Sequence, residues 1–164
     1  MPDKKTGAVF DCNIYVQALI SDLSAAAKCF EMARDNTIGL FISDSTFAEL
    51  VEVLSRPKIL GLLSGCGPNR IQTFLEEVLA VSIMVNNCPR KFSFSRDPDD
   101  EPYINLAIAA DADYIVSRDK DLLNLMTGHT DEAKEFRQKF RHLKVVEPVE
   151  FLRIVRDIDL ALNP

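Results

Sequence analysis

Acidic side chains recur along this chain where a catalytic rim would need them. Asp11 follows the apolar run Gly7-Ala8-Val9-Phe10, and Glu49 lies beyond a second apolar run at 38–42. Asp97-Pro98-Asp99-Asp100-Glu101 opens an alanine-rich apolar stretch, and Ser117, Asp119 and Asp121 follow Tyr114-Ile115-Val116. Carboxylates gathered on one rim repel each other, and protonation or a bound cation is the usual relief. A donor set of oxygens without Cys or His favours Mg2+ or Mn2+ over Zn2+. Such a cation keeps waters and meets phosphate, which suits hydrolysis of a phosphodiester bond. Each acid also has a plain structural use. Thr46-Phe47-Ala48-Glu49 fits a capping box, Asp97 to Glu101 suit the positive end of a helix, and Asp119 and Asp121 could cap a short one. Asp11 is hardest to explain that way, because an acid directly after a buried strand needs partners.

The elements that must position these acids alternate. Apolar runs at 7–10, 38–42, 81–85, 114–116 and 143–146 read as strands. Between them, apolar positions at three- and four-residue steps predict helices. One is capped by Ser21-Asp22 and carries Leu23, Ala26, Ala27, Phe30 and Ala33. Others span 46–54, stopped or kinked by Arg56-Pro57, then 68–80, 102–110, about 121–125 and 148–158. Residues 86–99 read as loop, and the charged stretch 128–139 has no clear helical pattern. Alternation of this kind implies a parallel sheet covered on both faces, the three-layer α/β/α class, over a single domain at 1–164. Ligands of such sheets gather beyond the carboxyl ends of the strands, where strand order reverses. The acids fall at those ends.

Composition narrows the function. The chain has 164 residues, and 25 acids against 19 bases give a net charge of −6, which argues against broad electrostatic wrapping of nucleic acid but not against phosphate met through a cation. No apolar run is long enough to cross a bilayer, and the polar N-terminus from Met1 to Gly7 does not resemble a secretory signal. Cys12, Cys29, Cys66 and Cys88 form no CxxC pair, so zinc-ribbon spacing is absent and buried reduced thiols in a cytoplasmic protein are expected. His129 and His142 lie far from the acidic motifs, against a Ser-His-Asp hydrolase, and no P-loop or GxGxxG occurs.

Val9-Phe10-Asp11-Cys12-Asn13 resembles the opening strand of PIN-domain nucleases, and Phe47 to Leu54 their second motif. Asp97 to Tyr103 with Ala107-Ile108-Ala109, then Ala112 to Leu123, resemble the third and fourth. Four motifs in order run from Val9 to Leu123, with a compatible last strand and helix beyond. The subgroup most resembled is the toxin components of toxin–antitoxin systems (VapC-like ribonucleases). The resemblance implies a parallel sheet of about five strands and a Mg2+- or Mn2+-dependent ribonuclease. It puts catalysis and metal binding on Asp11, Glu49, Asp100 and Asp119, with Asn13 and Ser117 orienting a carboxylate or water. The third acid is Asp100 by spacing to the alanine-rich helix, or Glu101 counting back from Asp119; Asp97, Asp99 and Asp121 are supporting candidates. The resemblance also implies an RNA substrate, single-stranded or structured, a cognate antitoxin and a homodimer. Arg56 and Arg118 are the bases placed to meet RNA, with Lys58 and Arg70 further out; Glu52 four residues before Arg56 offers it a helical ion pair instead.

Two other functions stay open on the sequence. A Mg2+-dependent phosphatase or phosphotransfer domain would share the acids, but Asn13 stands where aspartyl-phosphate phosphatases carry a second Asp. A catalytically silent module binding RNA or protein is the other, and the acidic net charge is its support.

Overall fold

Parallel pairing organises the chain. A computed structural model describes residues 4–164; the polar segment Met1 to Asp3 lies outside the described residues. The strands are β1 (Gly7–Phe10), β2 (Gly39–Ile42), β3 (Ser82–Met84), β4 (Tyr114–Val116) and β5 (Lys144–Val146), in the order β3-β2-β1-β4-β5. All neighbours run parallel. The central strand β1 is buried at every residue, which is why it reads as a continuous apolar run and not as an alternation.

The helices are α1 (Cys12–Ile20), α2 (Ala25–Arg34), α3 (Asp44–Leu54), α4 (Pro57–Leu62), α5 (Arg70–Val81), α6 (Glu101–Ala109), α7 (Lys120–Thr127), α8 (Asp131–Lys139) and α9 (Pro148–Leu162). On one face of the sheet α1, α2 and α9 meet, and Phe10 packs between Tyr15 of α1 and Phe151 of α9. On the other, α6 crosses β1, β2 and β4 and leans on α3. The chain is thus a five-stranded parallel sheet flanked by helices, the α/β sandwich expected from the alternation.

Several elements depart from the sequence reading, each for a physical reason. Helix α1 carries no polar–apolar stripe, because Ile14, Tyr15, Val16, Ala18 and Leu19 bury almost its whole circumference. Ser24, not Ser21-Asp22, caps α2: its hydroxyl accepts from the Ala27 N–H. Helix α3 ends at Leu54, ahead of Arg56-Pro57 as expected, and Pro57 also starts α4 at the first helical position, where a missing N–H costs nothing. Helix α8 forms in the charged stretch because Thr130 caps it and two apolar anchors, Ala133 and Phe136, reach the core.

The loop at 86–97 has no secondary structure, yet it is pinned. The buried Asn105 side chain accepts from the N–H groups of Lys91 and Phe92 and donates to the Phe92 carbonyl. Phe92 stacks edge-on against Phe136 and Phe140. These contacts fix the approach of the chain to Asp97. The cysteines are all free; Cys12 and Cys29 are buried and Cys88 half-buried, but Cys66 is exposed in the connection between α4 and α5, against the expectation of burial for all four. Among the described residues no helix is long and apolar enough to cross a membrane.

Candidate metal centre at the sheet's switch point

Strand order reverses at β1: the chain proceeds from it to β2 on one side and places β4 on the other. The crevice at the carboxyl ends of β1 and β4 is therefore where a ligand site is expected. The register pairs Phe10 with Val116. One residue further on, Asp11 and Ser117 leave the sheet side by side. Both are buried, Ser117 completely. The Ser117 hydroxyl donates to Asp11 Oδ2 at 2.8 Å and accepts the Asp119 N–H at 2.9 Å. A single hydroxyl thus links the acid after β1 to the acid after β4.

Asp119 caps α7. Its Oδ1 accepts the N–H groups of Asp121 and Leu122, so its use as a helix cap is real. One of its carboxylate oxygens also lies within 4.8 Å of oxygens from Asp97 and Asp100. Capping and cluster membership coexist, because a carboxylate has two oxygens. Asp97 caps the single 3-10 turn Pro98–Asp100, accepting from the Asp99 N–H. That turn swings Asp100 inward. Asp100 is buried, and its Oδ2 has no hydrogen-bond partner.

Electrostatics bind the group together. Burial, then the charges of Asp11, Asp119 and Asp97, push the Asp100 carboxyl up to about 8. Burial also pushes Asp11 up; the Ser117 hydrogen bond opposes this, and the charges of Asp119 and Glu49 add to it. Five acids, Asp11, Glu49, Asp97, Asp100 and Asp119, far apart in sequence, therefore feel one another.

Glu49 reaches the same neighbourhood from α3. The capping box that the sequence suggests for Thr46 and Glu49 is not the one formed. Ser43 is the cap, its hydroxyl accepting from the Thr46 N–H, and the Thr46 hydroxyl accepts from the Ser43 N–H in return. The helix starts one step earlier because β2 ends at Ile42. Glu49 is left without a capping role and instead accepts the Tyr103 hydroxyl at 2.8 Å. Ser43→Ala should cost about 1 kcal/mol, lowering the melting temperature by about 2–4 °C, whereas Glu49→Gln should not lower it; paired thermal melts check this. A loss on Glu49→Gln equal to that on Ser43→Ala would return Glu49 to a structural role.

The other proposed residues separate. Glu101, the alternative third acid, is paired with Arg90 through two hydrogen bonds of 2.7 and 2.9 Å and accepts the Phe94 N–H, which holds its carboxyl below the ordinary range. Asp121 pairs with Arg96 at 2.6 Å. Asp99 is exposed, as is Asn13 in the first turn of α1. Arg56 is tied to Glu52 at 2.8 Å, and Arg70 faces Asp22 at 3.8 Å. Arg118 is exposed between Ser117 and Asp119 and enters no ion pair among the described residues. The triad whose oxygens lie within 4.8 Å of one another contains Asp97, a supporting candidate on the sequence, while Asp11 joins it through Ser117 and through charge.

The sequence motifs do not pair Tyr103 with Glu49, although a Tyr on a buried helical face signals a hydroxyl that needs an acceptor. Arg90 and Arg96, which neutralise the decoy acids Glu101 and Asp121, carry no local signal at all.

The donor set fits a hard divalent cation. It consists only of carboxylate oxygens, one of them buried and unpartnered, on groups whose mutual repulsion a cation would relieve. The profile of the PIN domain family matches residues 7–121, from the first residue of β1 to the first turn of α7. The chain belongs to the PIN domain family. A protein of Methanocaldococcus jannaschii, described as uncharacterized, is 32% identical over 148 residues, covering 90% of this chain and 90% of its own length. The matched residues include Asp11, Glu49, Asp97, Asp100 and Asp119, and the match accounts for a nuclease-type fold with an acidic cluster at the end of its sheet.

Proposed function

We propose that this PIN domain is a Mg2+- or Mn2+-dependent endoribonuclease that hydrolyses single-stranded RNA. The observation that carries the reading is the buried, unpartnered Oδ2 of Asp100 within a carboxylate cluster at the switch point. Burying carboxylates without a counter-charge is unfavourable, and among the described residues no Lys or Arg pairs with Asp97, Asp100 or Asp119.

Asp97, Asp100 and Asp119, with Asp11 alongside, would hold the cation, and Glu49 would complete the set. When bound, Mg2+ or Mn2+ supplies positive charge against the phosphate oxygens and eases deprotonation of an attacking water, as hydrolysis to a 5′-phosphate requires. The protein's own contribution is positional. Ser117 fixes Asp11 and the backbone of Asp119 in one network. Tyr103 orients Glu49, whose second oxygen is then available to take a proton. Arg118, exposed next to Asp119, is placed to contact a backbone phosphate; Arg56 could do so only by leaving Glu52.

The finer reading takes residues 1–164 as one catalytic domain, acting in the cytoplasm as the toxin of a toxin–antitoxin pair, with a cognate antitoxin as partner. The motif resemblance supports the toxin assignment, and four free cysteines support a reducing compartment. A homodimer is supported by apolar side chains exposed around α3, α4, α5 and the edge strand β3: Val51, Leu60, Leu62, Leu79, Ile83 and Met84.

The test is cleavage of end-labelled single-stranded RNA by the purified protein with Mn2+ or Mg2+. Products bearing a 5′-phosphate, formed with metal and absent in EDTA, are expected. Cleavage unaffected by EDTA, or release of phosphate from p-nitrophenyl phosphate without RNA cleavage, would overturn the reading.

A further inference from the structure

A second feature lies one helix away from the acids. Lys134, Arg137, Gln138, Arg141 and Lys144 line a groove of about 440 Å³ between α8 and β5. Four cations and no carboxylate line it, on a chain whose net charge is −6. Lys134, Arg141 and Lys144 enter no ion pair among the described residues. All three are exposed.

Helix electrostatics explain only part of this. Arg137 donates from both terminal nitrogens, to the carbonyls of Leu125 and Gly128 at 2.8 Å each, and so completes the carboxyl end of α7. Basic residues in the last turn of α8 suit its dipole. Lys134 sits in the middle of α8, however, and Arg141 and Lys144 lie beyond its end, so the dipole accounts for none of them. Arg137 meanwhile is held rigid at the floor of the groove.

The groove is also tied to the site. Helix α7 begins at the cap Asp119 and ends where Arg137 grips it. Eight residues at about 1.5 Å each put some 12 Å between the two. A strand advancing roughly 3.4 Å or more per nucleotide covers that distance in a few nucleotides. Of the acids in the first turns of α7 and α8, Asp121 is neutralised by Arg96 and Glu132 is engaged by the N–H and hydroxyl of Ser95, while Asp131 is exposed.

We propose that this groove binds the phosphate backbone of the single-stranded RNA whose cleaved bond lies at the acidic cluster, a few nucleotides away. The proposal rests on the ribonuclease reading for its ligand. It gives an acidic protein a local cationic track for a polyanion.

The test is a charge-reversed triple variant, Lys134→Glu with Arg141→Glu and Lys144→Glu, in the full chain. Binding of a labelled RNA of about 16 nucleotides is followed by fluorescence anisotropy in EDTA, so that no cleavage is needed, between about 50 and 200 mM salt. The variant should bind at least about tenfold more weakly, and the slope of log K against log salt should shrink by about 2, at roughly 0.7 per lost phosphate contact. In Mn2+, KM for the long RNA should rise while cleavage of a tetranucleotide is unchanged. The matching Gln variants, with thermal melts equal to the unaltered protein, should give a smaller loss of the same kind. Long-RNA affinity and salt slope equal to those of the unaltered protein would overturn the groove, as would an affinity lost only together with the fold. An unaltered protein that binds through the groove but never cleaves would instead sink the nuclease reading alone.

Discussion

Asp11→Asn should lower RNA cleavage by about 10³-fold while leaving the protein at least as stable. The loss follows from removing one charge from the cation's carboxylate set. Such stabilisation of the transition state is worth several kcal/mol, and each 1.36 kcal/mol is about tenfold in rate. The retained fold follows from the shape of the site. Asn has the same outline as Asp, and its amide oxygen can still accept the Ser117 hydroxyl that reaches Asp11 at 2.8 Å. Asp11 is buried and sits among other acids, which raises its pKa, so a neutral amide relieves repulsion in the metal-free protein. Single-turnover cleavage of labelled RNA, paired with a thermal melt of the same preparation, separates chemistry from folding. Full activity in a well-folded Asp11→Asn protein would falsify the assignment of Asp11 to the catalytic set.

A saturating divalent cation should raise the melting temperature by about 5–10 °C at pH 8 and by far less at pH 5. Burial and neighbouring carboxylates hold Asp100 at about 8, well above its ordinary value of 3.8, and push Asp11 in the same direction. A carboxyl raised in the folded state favours folding when protonated. Its contribution is complete below about pH 3.8 and disappears as pH climbs through its folded value near 8. The metal-free protein therefore weakens across that window, as the cluster takes on charge that it cannot share.

Cation and proton compete for the same oxygens, so binding strengthens as pH rises. At about a hundredfold excess over Kd the gain is about 2.7 kcal/mol, and for a chain of this size each kcal/mol is about 2–4 °C. Asp100→Asn should both raise the metal-free melting temperature at pH 8 and remove most of the metal response. Melts in Mn2+ and in EDTA at the two pH values decide it; a metal shift that is the same at pH 5 and pH 8, or that survives Asp100→Asn, would count against the cluster as the binding site.

Much of the site was legible because its signals are local. A central parallel strand buried on both faces has to read as an unbroken apolar run, so Gly7 to Phe10 announced itself, and the acid that follows had to leave the sheet at its carboxyl end. The same logic placed Tyr114 to Val116 and the polar residues after it. Helix starts were less legible. The pattern of a Ser or Thr followed three residues later by an acid points to Thr46-Phe47-Ala48-Glu49, whereas the box that forms joins Ser43 to Thr46, which is no acid. The choice was made by where β2 ends, a tertiary matter. Helix α1 left no stripe because it is buried nearly all round, and α8 shows too few apolar residues to reveal that Phe136 is fully buried against Phe92 and Phe140.

What the amino-acid sequence by itself determined is which oxygens are available and at which ends of which elements they stand, since strand and helix patterns are written over a few consecutive residues. The folded chain alone decided which acids are charges in need of a cation and which are already paired. Asp100 and Glu101 are covalent neighbours, yet one is buried with an unpartnered oxygen and the other is clasped by Arg90. The difference lies in a rotation of one residue at the start of a helix and in a loop that Asn105 pins in place. Electrostatic interaction depends on distance through space and on exclusion of water, and neither quantity is encoded in spacing along the chain.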